Sequence, residues 1–581
     1  MKKNIIYLLL IVALCNISTA NAQEQTLTKE ITVETDFVPV EQKVVKPNTL
    51  PTTKKTTIPK STLSYSDWNS VVDFPHSIIK FEPYGYNTSY PYSKARGYID
   101  AGIGLQLDIV GSAGYRFINN KKNTLDAWLQ HTSTWNGENT STLAESNPIK
   151  QKFNDNIVGL DYSHLFTSGT LSAKAFYHYD WFNYFGANDN IVYTDIKDQT
   201  VNEAGVSVKW TKTTNKQSKN PFTAQLYFKH FGYSENIIDG INGLKENHIG
   251  LNLGSEGVFG SFSLGINASA DYLLYTNISA DNKNEWLGVL KASPYIRYNI
   301  GNLQLKGGLN VDLTAHDNFS VNISPNVNIL YKVIDGVTAY ADITGGTRIN
   351  TLGNYHTLCR YLAPNITLGT SYTPLNAEIG AKIGTFAGFY AKPYFAYGIF
   401  KNEVLPYTQR TIMDTGNIGI IEIDAVTPYV FMQKYNNKGW NAGIELGYNY
   451  NDIVDLNTSF NYSPQNKNEG YSTGFDRAEM VVKAQVKISP IKPLSFTIDY
   501  ELRTNRCYYN YYGAIGTPPI ESWSKTELDN VNNLSLNASY RINKTFGVFV
   551  HASNLLNQKW DKFVGIGVQK INALAGVNIL F

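Results

Sequence analysis

The chain has 581 residues and a formal charge of +2, and 43% of its residues are hydrophobic. A charge so close to zero argues against a nucleic-acid partner, which would need a basic surface. The 40 Tyr, beside only 4 Met and 3 Cys, favour membrane strands with aromatic interfacial belts over a series of soluble domains.

Residues 1–22 have the pattern of a secretory signal peptide. Lys2 and Lys3 supply the charged start, and the apolar run after them is too short to cross a bilayer as a helix. The tripeptide ANA at 20–22 is a cleavage site and sets the mature start near Gln23. Cys15 offers an alternative, lipoprotein processing, but Leu14 before it is larger than such sites prefer. No long apolar stretch follows, so we expect an exported chain without a membrane-spanning helix.

Residues 23–96 predict an extended segment in the periplasm or in the lumen of a barrel. The middle of this segment, LPTTKKTTIPKST at residues 50–62, is polar and poor in core-forming side chains. A short β-branched core lies near its start, at Ile31, Thr32 and Val33. Four aromatic residues near its end are candidates for blocking the lumen: Trp68, Phe74, Phe81 and Tyr84.

From Gly97 to the C-terminus, apolar and polar residues alternate with the period of a β-strand. The runs are about ten residues or longer, which matches a tilted strand that crosses a membrane. The sequence therefore predicts an all-β fold, a transmembrane antiparallel β-barrel. In this scheme Ile266 and Ile323 face lipid, and Asn267 and Asn322 face the lumen.

The connections between these runs alternate between short turns and long loops, as in barrels with short periplasmic turns and long outer loops. Counting them predicts about 22 strands. Residues 426–435 are placed in one of the long outer loops. The last run, QKINALAGVNILF, has six apolar residues on one face and ends at Phe581. Such a strand pairs with the first strand and closes the barrel without a free edge.

The residues reveal no catalytic set and no metal-ligand spacing. We therefore predict that the protein is not an enzyme and has no cofactor or metal. Four histidines in predicted strands are interpreted as interior polar residues: His131, His164, His178 and His230.

Two features of the predicted long loops remain open. Cys359 and Cys507 have no redox or metal motif, so they are either bridged after export or, the favoured case, unpaired. Four tyrosines in one loop either stack on a ligand or partner, or serve loop packing or an interfacial belt: Tyr508, Tyr509, Tyr511 and Tyr512. The aromatic residues at 179–185 are interpreted as belt residues.

Two stretches and the terminal aromatic carry a family resemblance. Residues 554–560, NLLNQKW, resemble the turn before the last strand of TonB-dependent receptors, and residues 372–380, YTPLNAEIG, resemble a stretch that leads into a downward strand of that family. The resemblance implies import of iron chelates, vitamin B12 or glycans, with energy transmitted through TonB to a plug domain. It also implies that Ile31, Thr32 and Val33 correspond to a TonB box. Phe581 would then belong to the signal that the barrel assembly machinery recognises.

The chain departs from that family at its N-terminus, because residues 23–96 are too short to form a plug domain. The expected protein is a receptor barrel without its plug, in the outer membrane of a diderm bacterium. Something else should then block the lumen: the N-terminal segment, the long loops, or a partner such as a surface or periplasmic lipoprotein. Two functions stay open: a barrel that passes or gates a solute, and a non-transporting scaffold in an outer-membrane assembly. Whether TonB engages the chain also stays open.

Overall fold

The computed structural model describes most of the chain beyond residue 94. The described residues are 95–138, 149–185, 197–212, 220–236, 242–278, 285–316, 319–366, 368–386, 388–407, 409–414, 420–426, 429–451, 453–464, 478–514, 521–563 and 565–581. The side chains of 385–386, 407–428, 508–514 and 521–526 lie outside this description.

Almost all of the described residues form β-strands. The first half contains β1 Gly97–Gly104, β2 Ile109–Asn119, β3 Asn123–Gly137, β4 Gln151–Leu165, β5 Gly169–Phe182, β6 Gln199–Lys212, β7 Phe222–Tyr233, β8 Lys245–Phe259, β9 Phe262–Thr276, β10 Trp286–Ile300, β11 Leu303–Ala315, β12 Phe319–Ile334 and β13 Val337–Ile349. The second half contains β14 Thr370–Phe386, β15 Phe389–Tyr407, β16 Gln409–Asp414, β17 Ile420–Val426, β18 Phe431–Tyr450, β19 Val454–Tyr462, β20 Met480–Ile491, β21 Leu494–Thr504, β22 Arg506–Ala514, β23 Glu521–Leu528, β24 Val531–Arg541, β25 Phe546–Ser553, β26 Asp561–Phe563, β27 Ile566–Gly567 and β28 Asn572–Leu580. The helical elements are a 3-10 turn, Leu105–Leu107, and one α-helix, α1, Leu352–Leu358.

Twenty-two of these strands form one antiparallel sheet that closes on itself, as the sequence predicted. Successive strands pair in chain order, and β28 pairs with β1. We call this junction the seam; its register runs from Tyr98 opposite Leu580 to Gly104 opposite Leu574. Closure leaves every strand with two neighbours, which a sheet in hydrocarbon requires. No helix among the described residues is long and apolar enough to cross a membrane.

The two faces of the strands follow the predicted alternation. Ile266 and Ile323 are 45% and 58% exposed on the outer face. Asn322 lies on the inner face, where its amide donates to Thr347 Oγ1 at 3.1 Å. An apolar outer face on a closed barrel is the arrangement of an outer-membrane protein.

The interior interpretation of the strand histidines is correct for His178 and wrong for the other three. Strand parity places His131, His164 and His230 on the outer face. Each of these rings lies next to an asparagine oxygen, at 2.5–2.8 Å. A neighbouring asparagine satisfies the ring there, and the sequence pattern did not reveal this pairing.

Aromatic rings on the inner face lie flat over glycines of the adjacent strand. A Cβ atom added at each of these glycines would come within 2.1–2.3 Å of the ring. Four such pairs are Trp128 over Gly159, Phe176 over Gly205, Tyr227 over Gly250 and Tyr295 over Gly265. This packing gives many of the glycines and aromatic residues in the composition a common role.

The outer extensions form a small sheet of their own, in the order β17, β16, β22 and β23. β15 and β18 are 19 and 20 residues long and continue as a ribbon beyond the length that a membrane strand needs. The assignment of residues 426–435 to a loop is therefore partly wrong, because β18 begins at Phe431 and pairs there with Tyr407.

Candidate functional site

The connection between β13 and β14, residues 350–369, folds into the barrel, and we call it the inner loop. Its two ends meet where Asn350 N donates to Gly369 O at 2.9 Å. Thr351 caps α1 by accepting a bond from Asn354 N at 3.3 Å. The free amide of Leu352 donates to Glu246 Oε2, a carboxylate of β8, at 3.1 Å. The start of the helix is thus bound to the barrel wall.

Beyond α1, the inner loop reaches strands far from those that carry it. Arg360 contacts Asp155 on β4 and Asp180 on β5. In the ring of 22 strands, β5 lies eight positions from β13, and β4 lies nine. Since opposite strands of such a ring are eleven positions apart, the inner loop crosses the lumen instead of following the rim.

Charged contacts fix the inner loop to that distant wall, and we call Arg360, His356, Asp155 and Asp180 the latch. Arg360 Nε and a terminal nitrogen lie 2.6 Å from Asp180 and 2.8 Å from Asp155. His356 Nε2 lies 2.9 Å from Asp180. Burial alone would lower the pKa of Arg360, but Asp180 and Asp155 outweigh it and raise that pKa above its usual value. The guanidinium therefore stays charged inside the lumen.

Two latch residues and the neighbouring His178 have metal-ligand chemistry. Asp155, His178 and Asp180 place one ligand atom each within 4.8 Å of one another. His178 Nε2 already lies 3.0 Å from Asp155 Oδ1, and both carboxylates are paired with Arg360. The arrangement is therefore an ion-pair network built around an arginine. The sequence prediction missed it, although His178 and Asp180 are two residues apart and so share one strand face.

Apolar packing reinforces the latch. Tyr361 Oη accepts from Gln151 Nε2 at 2.9 Å, and Leu362 forms a parallel bridge with Val430. The buried side chains of the inner loop and of the wall around it form one cluster that includes Leu352, Tyr355, Cys359, Tyr361, Leu362, Phe182, Tyr184, Phe185, Phe231 and Tyr233. The belt interpretation of the 179–185 aromatics is therefore wrong for Phe182, Tyr184 and Phe185. It fits Trp181, which stacks on Trp135 with ring centroids 5.7 Å apart.

A second connection, residues 554–571 between β25 and β28, meets the inner loop. Ile566 belongs to the same buried cluster, and Phe563 packs against it. Arg506 donates to Asp561 O at 2.7 Å and lies over the ring of Trp560. Two loops from different sides of the barrel thus fill the outer part of the lumen.

Cys359 and Cys507 are both buried, and neither forms a disulfide among the described residues. Cys359 lies in the inner loop directly before Arg360, and Cys507 lies in β22. Burial raises the pKa of the Cys359 thiol to about 12. Its reactivity at neutral pH is therefore low while the inner loop stays in place.

A cavity of about 960 Å³ lies on the periplasmic side of α1. It is bounded above by Thr351, Gly353 and Asn354 and laterally by the strand wall. Residues with hydroxyl or amide side chains form the largest group in the lining. Five basic and five acidic residues balance in charge: Lys174, Lys229, Lys291, Arg348, Lys401, Glu203, Glu246, Asp271, Asp312 and Glu403.

Comparison with known proteins gives matches to solved structures. No protein-family model and no curated protein matches the sequence. A mutant of the ferric enterobactin receptor PfeA of Pseudomonas aeruginosa matches with a TM-score of 0.61 and 12% identity, over 84% of this chain and 80% of that chain. The siderophore receptor PirA of Acinetobacter baumannii matches with a TM-score of 0.61 and 9% identity, over 85% and 81%. The copper transporter OprC matches with a TM-score of 0.58 and 11% identity, over 85% and 81%.

The barrel has the fold of the TonB-dependent receptors. At these identities the likeness concerns the fold. It confirms the predicted class of barrel, and the matching proteins are named as receptors or as a transporter, in line with the prediction of a non-enzyme.

Among the predicted site residues of this receptor-type barrel, Phe581 is described in full. Its carbonyl accepts from Arg96 N at 2.6 Å and Gly97 N at 2.8 Å, and its ring stacks on Tyr115. The terminal residue therefore fixes the periplasmic end of the seam.

The other predicted site residues are described in part or not at all. The backbone of Tyr508, Tyr509, Tyr511 and Tyr512 lies in β22, but their side chains lie outside the described part, so their ligand or partner role stays a prediction. The TonB-box-like residues and the candidate lumen-blocking aromatics also lie outside it: Ile31, Thr32, Val33, Trp68, Phe74, Phe81 and Tyr84.

Proposed function

We propose that the chain is an outer-membrane transporter of the receptor type that passes a small polar solute, with the inner loop as its gate. The observation that carries this proposal is the crossing of the lumen by residues 350–369 and their fixation to β4 and β5 through Arg360. A barrel of 22 strands encloses a lumen wide enough to leak unless something fills it. The inner loop supplies such a filling from within the barrel itself.

The way the inner loop is attached favours a gate over a permanent plug. It leaves and rejoins the barrel at one point, between Asn350 and Gly369, so it can swing as a unit without breaking a strand pair. Its far end is held by backbone hydrogen bonds to Val430 and Leu244 and by side-chain contacts, among which Arg360 provides both of the arginine–carboxylate pairs. Loss of Arg360 would therefore remove both of these ion pairs and weaken the attachment of the crossing segment.

The cavity under α1 is the proposed resting place of the solute. Its volume of about 960 Å³ is at the upper end of the range of ligand pockets, about 300–1,000 Å³. Equal numbers of acidic and basic lining residues favour a solute without a large net charge.

Energy from TonB, through Ile31, Thr32 and Val33, and help from a lipoprotein partner are further parts of this proposal. They are supported by the likeness of the barrel fold to receptors whose names specify ferric enterobactin or siderophores.

The alternative function, a scaffold that passes no solute, is favoured by one observation. The inner loop and residues 554–571 share a buried apolar cluster, which includes Leu352, Leu362 and Ile566. Close apolar packing between two loops is what a permanent block of the lumen would show.

A liposome-swelling assay separates these two functions. We expect Arg360→Ala to admit small neutral sugars faster than the unchanged protein, because the inner loop loses its fixation. Arg297→Ala is the matched control, since Arg297 is also a lumenal arginine but pairs with Glu256, 2.8 Å away, and lies outside the inner loop and outside the cavity lining. Equal and negligible swelling for all three proteins would contradict the gate and favour the scaffold.

A further inference from the structure

The barrel wall is low at the seam. β1 and β25 have 8 residues and β28 has 9, whereas β3 and β4 have 15 each. At about 3.3 Å per residue and a tilt of about 40°, eight residues rise roughly 20 Å along the membrane normal. That is less than the apolar band of about 25 Å that such barrels present to lipid.

The apolar outer face of β1 continues without a break through the turn into β2. Ile103, Leu105 and Leu107 are 61%, 56% and 56% exposed. Ile99 precedes them and Ile109 follows them on the same face. Turns at the opposite, periplasmic rim are different, since they expose charged groups such as Lys122 and Asp335.

The turn satisfies polar backbone groups within itself. Gly104 N donates to Asp108 O at 2.8 Å, and Asp108 N donates to Leu105 O at 3.2 Å. The Asp108 carboxylate lies on the inner side, where Thr134 Oγ1 donates to it at 2.5 Å. Internal pairing of this kind is what a turn needs where water is absent.

The backbone of the turn is left-handed at two residues, one of which is a leucine. Gln106 and Leu107 have φ values of 61° and 56°, in the left-handed region. Asparagine or glycine occupies this region at lower cost, by roughly 1 kcal/mol, and is usual in turns that face water. A leucine at such a position fits a turn whose surroundings are hydrocarbon.

We propose that the β1–β2 turn, with Leu105 and Leu107 at its tip, is inserted among the acyl chains of the outer leaflet. The occupant of this surface is lipid, because its apolar face continues the lipid-facing band of β1 and β2. The outer rim of the barrel therefore dips below the membrane surface at the seam. The polar group of Asp108 and Thr134 lies directly behind this low edge, on the lumenal side.

Spin-label accessibility in lipid bilayers tests the proposal. A nitroxide is attached to Leu107→Cys in a Cys359→Ala, Cys507→Ser background, and its collisions with oxygen and with a water-soluble nickel chelate are compared. Ile323→Cys is the lipid control, and Glu285→Cys, exposed beyond the outer end of β10, is the water control. Leu105→Cys provides the same measurement if the Leu107 variant does not fold.

The expected oxygen-to-nickel ratio for Leu107 is within about twofold of the Ile323 value and at least about fivefold above the Glu285 value, because the hydrocarbon core excludes the chelate. A ratio at Leu107 equal to that at Glu285 would place the turn in water and overturn the proposal.

Discussion

Arg360 is the residue on which the position of the inner loop depends most. Its removal takes the guanidinium away from the carboxylates of Asp155 and Asp180, which keep His178 and His356 as partners, and Asp180 is fully buried. Breaking a buried pair in this way costs roughly 3–5 kcal/mol. This cost destabilises the closed position of the inner loop relative to an open one, because opening of the loop would expose these carboxylates to water.

Cysteine labelling measures this effect. In a Cys507→Ser background, we expect Arg360→Ala to raise the rate at which a membrane-impermeant maleimide modifies Cys359 by at least about tenfold, since each 1.4 kcal/mol is a factor of ten. Lys174→Ala should leave the rate unchanged, because its ion pair is exposed and does not touch the inner loop. An unchanged rate in Arg360→Ala would mean that the latch does not hold the loop.

The two faces of one strand should respond differently to charge. Ile266→Arg and Ile323→Arg place a cation in lipid and should cost about 2–4 kcal/mol, whereas Asn267→Arg and Asn322→Arg should cost much less in the wet lumen. The measurement is the stability of the inserted barrel in denaturant titrations from lipid vesicles. Equal losses on both faces would refute the register.

At the scale of elements, the pairing of glycine with an aromatic ring on the next strand makes a separate prediction. Gly265→Ala on β9 would bring a Cβ to 2.2 Å from Tyr295, whose hydroxyl also donates to Glu256 at 2.7 Å. We expect a loss of about 1–3 kcal/mol, as for other overpacked sites, seen as a lower temperature of heat modification on gels.

Gly307→Ala on β11 is the control for that experiment, because a Cβ at Gly307 meets nothing within 4 Å. If both substitutions were equally harmless, the ring of Tyr295 would move aside freely, and the contact between the ring and the glycine would not contribute to the stability of the barrel.

The strands and short turns could be predicted from the sequence, but the path of the inner loop could not. The alternation of apolar and polar residues and the turn residues are local sequence patterns. The sequence alone therefore shows that Ile266 faces lipid and that Asn267 faces the lumen. Arg360 meets Asp180 across 180 residues and Asp155 across 205. No local pattern encodes such a contact. The burial of Phe182, Tyr184 and Phe185 could not be predicted for the same reason, because it depends on packing against the distant inner loop.

At the scale of the whole molecule, we expect the last residue to contribute to closure of the barrel. Phe581 exchanges backbone bonds with Gly97 at 2.8 and 3.0 Å, at the end of the short seam. Deletion of Phe581 should lower the amount of folded barrel in the outer membrane and leave degradation products in the periplasm. Normal amounts of heat-modifiable protein in that deletion would contradict a role for Phe581 in assembly.

The fold class and the strand number followed from the sequence, whereas the identity of the lumen block did not. Sequence reasoning left the N-terminal segment, the long loops and a partner protein as candidates, with the aromatic part of the N-terminal segment as the best candidate within the chain. Contacts of Arg360, Tyr361 and Leu362 with distant strands now favour a loop, because Tyr361 and Leu362 are buried inside the barrel and the Arg360 side chain is only 12% exposed. The aromatic part of residues 23–96 stays a prediction.

Single-channel recording in planar bilayers tests most directly whether the inner loop closes the lumen. Four mature proteins are compared: the unchanged chain, a truncation of residues 23–92, a variant with residues 352–366 replaced by a short Gly/Ser linker, and the combination of both changes. We predict that the linker variant conducts far more than the unchanged chain, and that truncation alone adds little. Large currents from the truncation alone, with a silent linker variant, would contradict the account and assign the block to the N-terminal segment.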